Sequence, residues 1–226
     1  MILLSQPPNG YSEILWIIGF EQISTRRYIL WQEFIHSKIV YIGCENKIWR
    51  DIQISSNSTM AVLGYAVLSS FSTCAYHLFM MTYKGTNYEL GDEEFQAKPK
   101  LMSETKLGNL KLEIGDKIHM IYDFGEEQEF EITLLSDEEM PKGSGRAYPK
   151  VSDGAGRGII DDMSAEDLLD LIKKIDKTSK SDFIYAHRGE RAPWDYHNYQ
   201  IDIDNCLLKG RIAKIKSAYE NPIEDF

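Results

Sequence analysis

Cysteine is scarce in this 226-residue chain: Cys44, Cys74 and Cys206 form no CxxC pair and have no histidine at metal-ligand spacing. That excludes a disulfide framework or a zinc knuckle. All three are expected to be buried, reduced and structural. Cys74 and His77 would touch if both lay on a helix, but a strand starting near His77 is expected to part them. Long apolar runs are also missing. None reaches the roughly 18 uncharged residues of a membrane span, and the best, Ile14 to Phe20, is flanked by Glu13 and Glu21. With no basic n-region and no small-residue cleavage site, no secretory leader is expected, and the expected location is cytoplasmic. Gly154, Gly156 and Gly158 have no preceding strand signal and no Gly-Lys-Ser/Thr, so they make no phosphate-binding fingerprint. There is no internal repeat.

Enough apolar material is present to build a core. Hydrophobic residues make up 43% of the chain and aromatics 12%, which suits one domain of moderate size, with or without an appendage. The net charge of −10 is unevenly placed: residues 89–140 carry fifteen acids and five lysines, a local sum of −10, so the rest of the chain cancels. Sequence-independent nucleic-acid binding needs lysine and arginine to neutralise phosphates, so this stretch argues against such a footprint. A solvated face that aids solubility is the plain reading, and a basic partner or a cation is the sharper one.

Residues 1–34 open on a Pro7 to Gly10 turn and then carry dense bulky apolar residues, Ile14 to Ile18 and Tyr28 to Phe34. Such density predicts an extension packed on the core or on a second copy of the chain, where it would supply a homo-oligomer contact. A start codon upstream of the native one is the third reading. Residues 35–226 form the domain proper. His36 to Ile42 and Ile48 to Ile54 read as antiparallel strands. Met60, Leu63, Val67 and Phe71 then recur at helical spacing behind polar cap candidates, predicting an amphipathic helix on the sheet. A hairpin is expected around Lys84-Gly85. A second turns at Gly125, because Ile118, Met120, Tyr122 and Phe124 alternate on one side and Phe130, Ile132 and Leu134 on the other. His119, Asp123, Glu129, Glu131 and Thr133 would face outward, into solvent or a groove. Residues 136–162 read as a long polar loop. Two helices close the chain, Ala165 to Ile175 capped by Ser164 and Asn205 to Tyr219 capped by Asp204. Strands first and helices after predict an α+β fold, a mostly antiparallel β-sheet packed with helices.

Several of these residue types carry chemistry. Asp123, Glu129 and Glu131, brought together across the hairpin, would share a proton or hold a hard cation, as acid/base or metal-assisted hydrolysis requires. The ordinary alternative is a charged, solvent-facing sheet surface. Trp49-Arg50 pairs a large ring with a charged fork, which would clamp an anion or serve as structural partner to a carboxylate such as Asp123. His77 would act as a general base or sit as a satisfied histidine at an edge. Tyr122 lies among carboxylates, the wrong setting for attack on a phosphate. Lys209, Arg211, Lys214 and Lys216 on the last helix would face solvent, an acidic partner or nucleic acid.

Tyr122-Asp123-Phe124-Gly125, preceded by Ile48-Trp49-Arg50 and Tyr76-His77-Leu78-Phe79 and followed by Tyr148-Pro149-Lys150 and Asp153-Gly154, resembles the plasmid pRiA4b ORF-3-like family over residues 36–220. The resemblance implies a fold and places Asp123, Gly125 and Glu129 on motif positions, but the family has no established activity, and the cofactor is left unknown. The chain departs from the pattern at Gln128, commonly an aromatic, at Phe130, often histidine, at Val151, often cysteine, and at Ile159 to Asp162, where relatives show Pro-Pro-Glu-Asp. The resolvase label that some relatives carry implies an activated Ser or Tyr among arginines, and no such cluster is present. The leading expectation is a non-enzymatic accessory or binding module that takes a protein, peptide or small polar ligand at Trp49, Arg50, His77, Tyr122, Asp123, Glu129 and Glu131. The alternatives are a hydrolase using the hairpin carboxylates and a nucleic-acid-associated protein of a mobile element.

Overall fold

A computed structural model describes residues 31–91, 100–141, 149–185 and 191–220. Of the expected extension, residues 1–30, with any dimer contact through them, lie outside these, and residues 31–34 belong to the first strand. Strands β1 (Trp31–Tyr41) and β2 (Trp49–Ser55) pair antiparallel, with Val40 opposite Trp49. On the other side of β1 lies β7 (Gln128–Pro141), which forms a hairpin with β6 (Lys117–Tyr122). The sheet continues through β3 (Phe79–Tyr83), β4 (Thr86–Glu89) and the short parallel β5 (Lys100–Leu101), and β8 (Lys150–Ala155) closes its far edge beside β2. The eight-stranded order is β5-β4-β3-β6-β7-β1-β2-β8, antiparallel except at β4-β5. A separate hairpin joins β9 (Asp182–Tyr185) and β10 (Arg191–Trp194). The fold is α+β.

Helix α1 (Met60–Ser70) starts where the Thr59 hydroxyl accepts from the Val62 amide at 3.3 Å. It was expected to be amphipathic, but every residue except Val62 is buried. The reason is that α1 lies between the sheet and the terminal helix α3 (Ile201–Glu220), and a helix covered on both sides is apolar all round. Phe71, Phe130 and Tyr41 pack ring on ring beneath it, with centroids 4.9 and 5.3 Å apart. Full burial of a ring such as Phe71 is worth about 2–3 kcal/mol. Gly64 lets α1 sit close on β3, since a Cβ there would meet Phe79 Cε2 at 2.2 Å. Helix α2 (Ala165–Thr178), capped by Ser164 as expected, buries Leu168, Ile172 and Ile175.

Three expectations are corrected. Residues 136–162 are not one loop: β7 runs on to Pro141, and Lys150–Ala155 is an edge strand whose one glycine admits the neighbouring backbone, a Cβ on Gly154 meeting Trp49 O at 2.9 Å. Asp204 is no cap, because α3 begins earlier, at Ile201, and Asp204 is buried in its first turn against Arg211 at 2.7 Å. Of the cysteines only Cys44 is buried. Among the described residues, no helix is long and apolar enough to cross a membrane.

Beside β3, Asp116 accepts from the Tyr83 hydroxyl at 2.6 Å and the Glu113 amide at 2.9 Å, with Lys84 Nζ at 3.1 Å. These contacts, the Tyr83 hydrogen bond foremost, pull its carboxyl from 3.8 down to about 2. A carboxyl depressed by folding adds stability that is present above its unfolded value and is lost as pH falls through the folded one. The melting temperature is therefore expected to drop between about pH 4 and pH 2, and Asp116→Asn should flatten part of that drop. Equal slopes in the two proteins would deny Asp116 this role.

Candidate functional site

The corner where β3 begins and β6 ends gathers side chains from four segments. The β3–β6 register sets Phe79 opposite Tyr122, so the Asp123 amide donates to Leu78 O at 3.1 Å and Asp123 lies beside His77. Gln128, opposite Tyr122 across the turn, is buried and donates from Nε2 to Ile160 O and Met163 O, each at 2.8 Å. That clamp lays residues 160–163 over the end of the hairpin and delivers Asp161 and Asp162. The Tyr219 hydroxyl, from the end of α3, donates to His77 O.

Within the corner, His77 Nε2 lies 2.8 Å from Asp162 Oδ1 and 3.4 Å from Asp123 Oδ2. The other Asp162 oxygen accepts from the Tyr76 hydroxyl, and Asp123 Oδ1 accepts from the Gly125 amide at 3.1 Å. Asp161 accepts from the Tyr122 hydroxyl at 2.7 Å and the Cys74 amide at 2.8 Å. Asp123 is only 6% exposed, and among the described residues its Oδ2 meets nothing but His77. Asp123 and Asp162 both hold left-handed backbone, φ +55° and +58°. Such conformations cost of order 1–3 kcal/mol each and gather at functional sites. Tyr76, Leu78 and Phe124 stand about half exposed around the rim.

Electrostatics decide which of these groups react. Burial, reinforced by Asp161, pushes the Tyr122 phenol far above its ordinary value, and partial desolvation with the Asp162 hydrogen bond raises the half-exposed Tyr76. The Cys74 thiol is raised to about 11, first by partial desolvation and then by Asp161, with Lys214 acting the other way. Both phenols and the thiol therefore stay protonated at neutral pH, and a thiol in that state is a poor nucleophile. Asp162 is lowered, chiefly by the Tyr76 hydrogen bond and then by His77. The corner thus offers carboxylates, an imidazole and neutral hydroxyl donors, a set suited to a cation or a proton and not to covalent attack.

Of the residues singled out in the sequence, His77, Tyr122 and Asp123 come together, the His77 and Tyr122 rings 5.6 Å apart. The others do not. Glu129 and Glu131 alternate with buried Phe130 and so lie on the opposite sheet face, where Glu131 pairs with Lys117 at 2.9 Å. Trp49 is on that face too, with Lys38 Nζ 4.2 Å above its ring. Arg50 does not pair with Asp123. It is fully buried, donating to Ser70 O, Trp49 O, Ala155 O and Gly156 O at 2.6–2.9 Å, with Tyr199 stacked 3.7 Å away. Sequence reasoning missed Tyr76, Asp161 and Asp162. Their only signal was the acidic Asp161-Asp162 run in a glycine-rich stretch, and Gln128, read there as a departure, is the residue that positions it.

A family model described as plasmid pRiA4b ORF-3-like protein matches residues 34–205. The chain is similar in fold to a solved structure titled protein of unknown function MM3350 from Methanosarcina mazei Go1, at 20% identity and a TM-score of 0.56, covering 67% of this chain and 86% of that one. No curated protein matches.

Proposed function

The chain belongs to the plasmid pRiA4b ORF-3-like family, and from that premise we propose that it is a binding module whose ligand presents a cationic centre to His77, Asp123 and Asp162. The observation that carries this reading is the buried Asp123 carboxylate, whose Oδ2 faces the corner beside His77 without a hydrogen bond among the described residues. A carboxylate largely shielded from water, whose Oδ2 meets only the His77 imidazole at 3.4 Å among the described residues, favours the approach of a positive charge. The exposed Tyr76, Leu78 and Phe124 supply an apolar rim for the rest of the ligand. A cytoplasmic location belongs to the same proposal.

A second reading, acid/base or metal-assisted hydrolysis, is favoured by the His77–Asp162 contact at 2.8 Å, which would orient the imidazole. The nucleic-acid reading draws less support, because on α3 Arg211 pairs with Asp204, Lys216 faces Glu220 at 3.5 Å, and Lys209 also has a partner.

The test is a titration of isotope-labelled protein, followed by its amide NMR signals, with argininamide and manganese chloride as cationic probes and sodium acetate as the anionic control. Saturable changes at residues 74–78, 123–125 and 160–163 with either cation support the reading. Changes with acetate alone, or none at these amides with either cation, overturn it.

A further inference from the structure

The donor atoms of the corner also specify which cation they suit. His77, Asp123 and Asp162 each offer a donor atom within 4.8 Å of the other two and come from three separate segments. The His77 separations, 2.8 and 3.4 Å, bracket the donor–donor edges of a coordination shell with bonds of about 2.0–2.1 Å, which run from about 2.9 Å in an octahedron to about 3.3 Å in a tetrahedron. Each ligating carboxylate is held by its other oxygen, Asp162 by the Tyr76 hydroxyl and Asp123 by the Gly125 amide. The backbone of His77 is fixed by Tyr219. This is how outer-shell hydrogen bonds orient metal ligands. Asp123 adds an independent sign, being 6% exposed with its ligating oxygen aimed into the corner and not hydrogen-bonded among the described residues.

We infer that His77, Asp123 and Asp162 bind one divalent transition-metal ion, Zn²⁺ or Mn²⁺, leaving part of its coordination shell open toward the rim. This rests on the proposal that the corner is the ligand site and names the cation. An imidazole donor selects first-row transition metals over Mg²⁺ or Ca²⁺, and two carboxylates keep the site hard enough for Mn²⁺ as well as Zn²⁺. Three protein ligands match metal sites that keep a position for water or for a ligand group.

Isothermal titration of the chelator-treated, dialysed full chain with zinc chloride and with manganese chloride tests the inference. Saturable binding of one ion per chain is expected for at least one of the two metals. Asp123→Asn and His77→Gln should each weaken it more than about 10-fold. Tyr76→Phe, which removes an exposed hydroxyl and leaves every ligand in place, should weaken it by about 10-fold or more, in the range typical of outer-shell changes. Glu129→Gln, on the opposite face, should leave it unchanged. Should Asp123→Asn fail to fold by circular dichroism, Tyr76→Phe carries the test. No saturable binding of either metal, or binding unmoved by Tyr76→Phe and by whichever ligand variants fold, overturns the inference. If argininamide alone shifts the corner amides, the corner remains a cation site and the metal assignment fails by itself.

Discussion

Arg50→Met is expected to remove about 3–5 kcal/mol of stability, because several carbonyls lose one charged donor together. Its guanidinium ties three elements at once: Ser70 O at the end of α1, Trp49 O on β2, and Ala155 O and Gly156 O on and after β8. Ser70 is the last residue of α1, so the fork also meets the negative end of the helix dipole. Methionine fills similar space but takes this donor from all four carbonyls, and the two in fully buried contacts, Ser70 O and Gly156 O, cost about 1–3 kcal/mol each when left unmet. Burial lowers the Arg50 pKa to about 10, so it stays charged at neutral pH. Against a total stability of about 5–15 kcal/mol, the loss should appear as a large fall in the urea midpoint. Arg50→Lys should not restore it, because an ammonium lacks the planar fork. A loss under about 1 kcal/mol would show that the carbonyls find other donors.

Gly158→Ala should be comparably severe and should also disturb the corner. Gly158 has φ +136°, and a Cβ there would lie 2.1 Å from Phe71 O and 2.6 Å from Phe71 C. The left-hand conformation alone costs a side chain about 1–3 kcal/mol, and the clash is with backbone that cannot step aside. Phe71 O also accepts from the Ile159 amide at 3.0 Å, so relief must shift the segment leading to Asp161 and Asp162. A loss of roughly 3 kcal/mol or more is expected by denaturant unfolding, together with altered amide signals at residues 160–163. Gly210→Ala is the control: it lies within α3 with nothing inside 4 Å of the added Cβ, and it should be neutral or stabilising by up to about 1 kcal/mol. Equal effects at the two positions would refute the steric account.

The sheet was legible in the sequence wherever one face is buried and the other is not. Ile118 and Met120 against Phe130 and Ile132 alternate in the sequence and pair across the β6–β7 hairpin, and the Ser164 cap locates the start of α2. β8 escaped notice because Gly154 within it and Gly156 just after it mimic a loop, and only the approach of the Trp49 and Lys47 backbones shows why they are required. The candidate site was half legible. His77 and Asp123 meet through strand register, which local pattern fixes. Asp162 arrives through Gln128, which bridges 32 and 35 residues to grip Ile160 and Met163, and contacts of that span leave no periodic trace. Arg50 was misassigned for a related reason: backbone carbonyls, its actual partners, are the same in every sequence.

The central claim is that His77, Asp123 and Asp162 form one cation site, and its most direct test is the amide NMR titration run in parallel on wild-type protein and Asp123→Asn. Binding predicts that argininamide or manganese chloride perturbs the amides of Cys74, Gly125 and Asp162 in the wild-type protein, saturably, and that the variant loses the response while the rest of its spectrum is retained. Identical responses in the two proteins, or no response at these three amides, would contradict it.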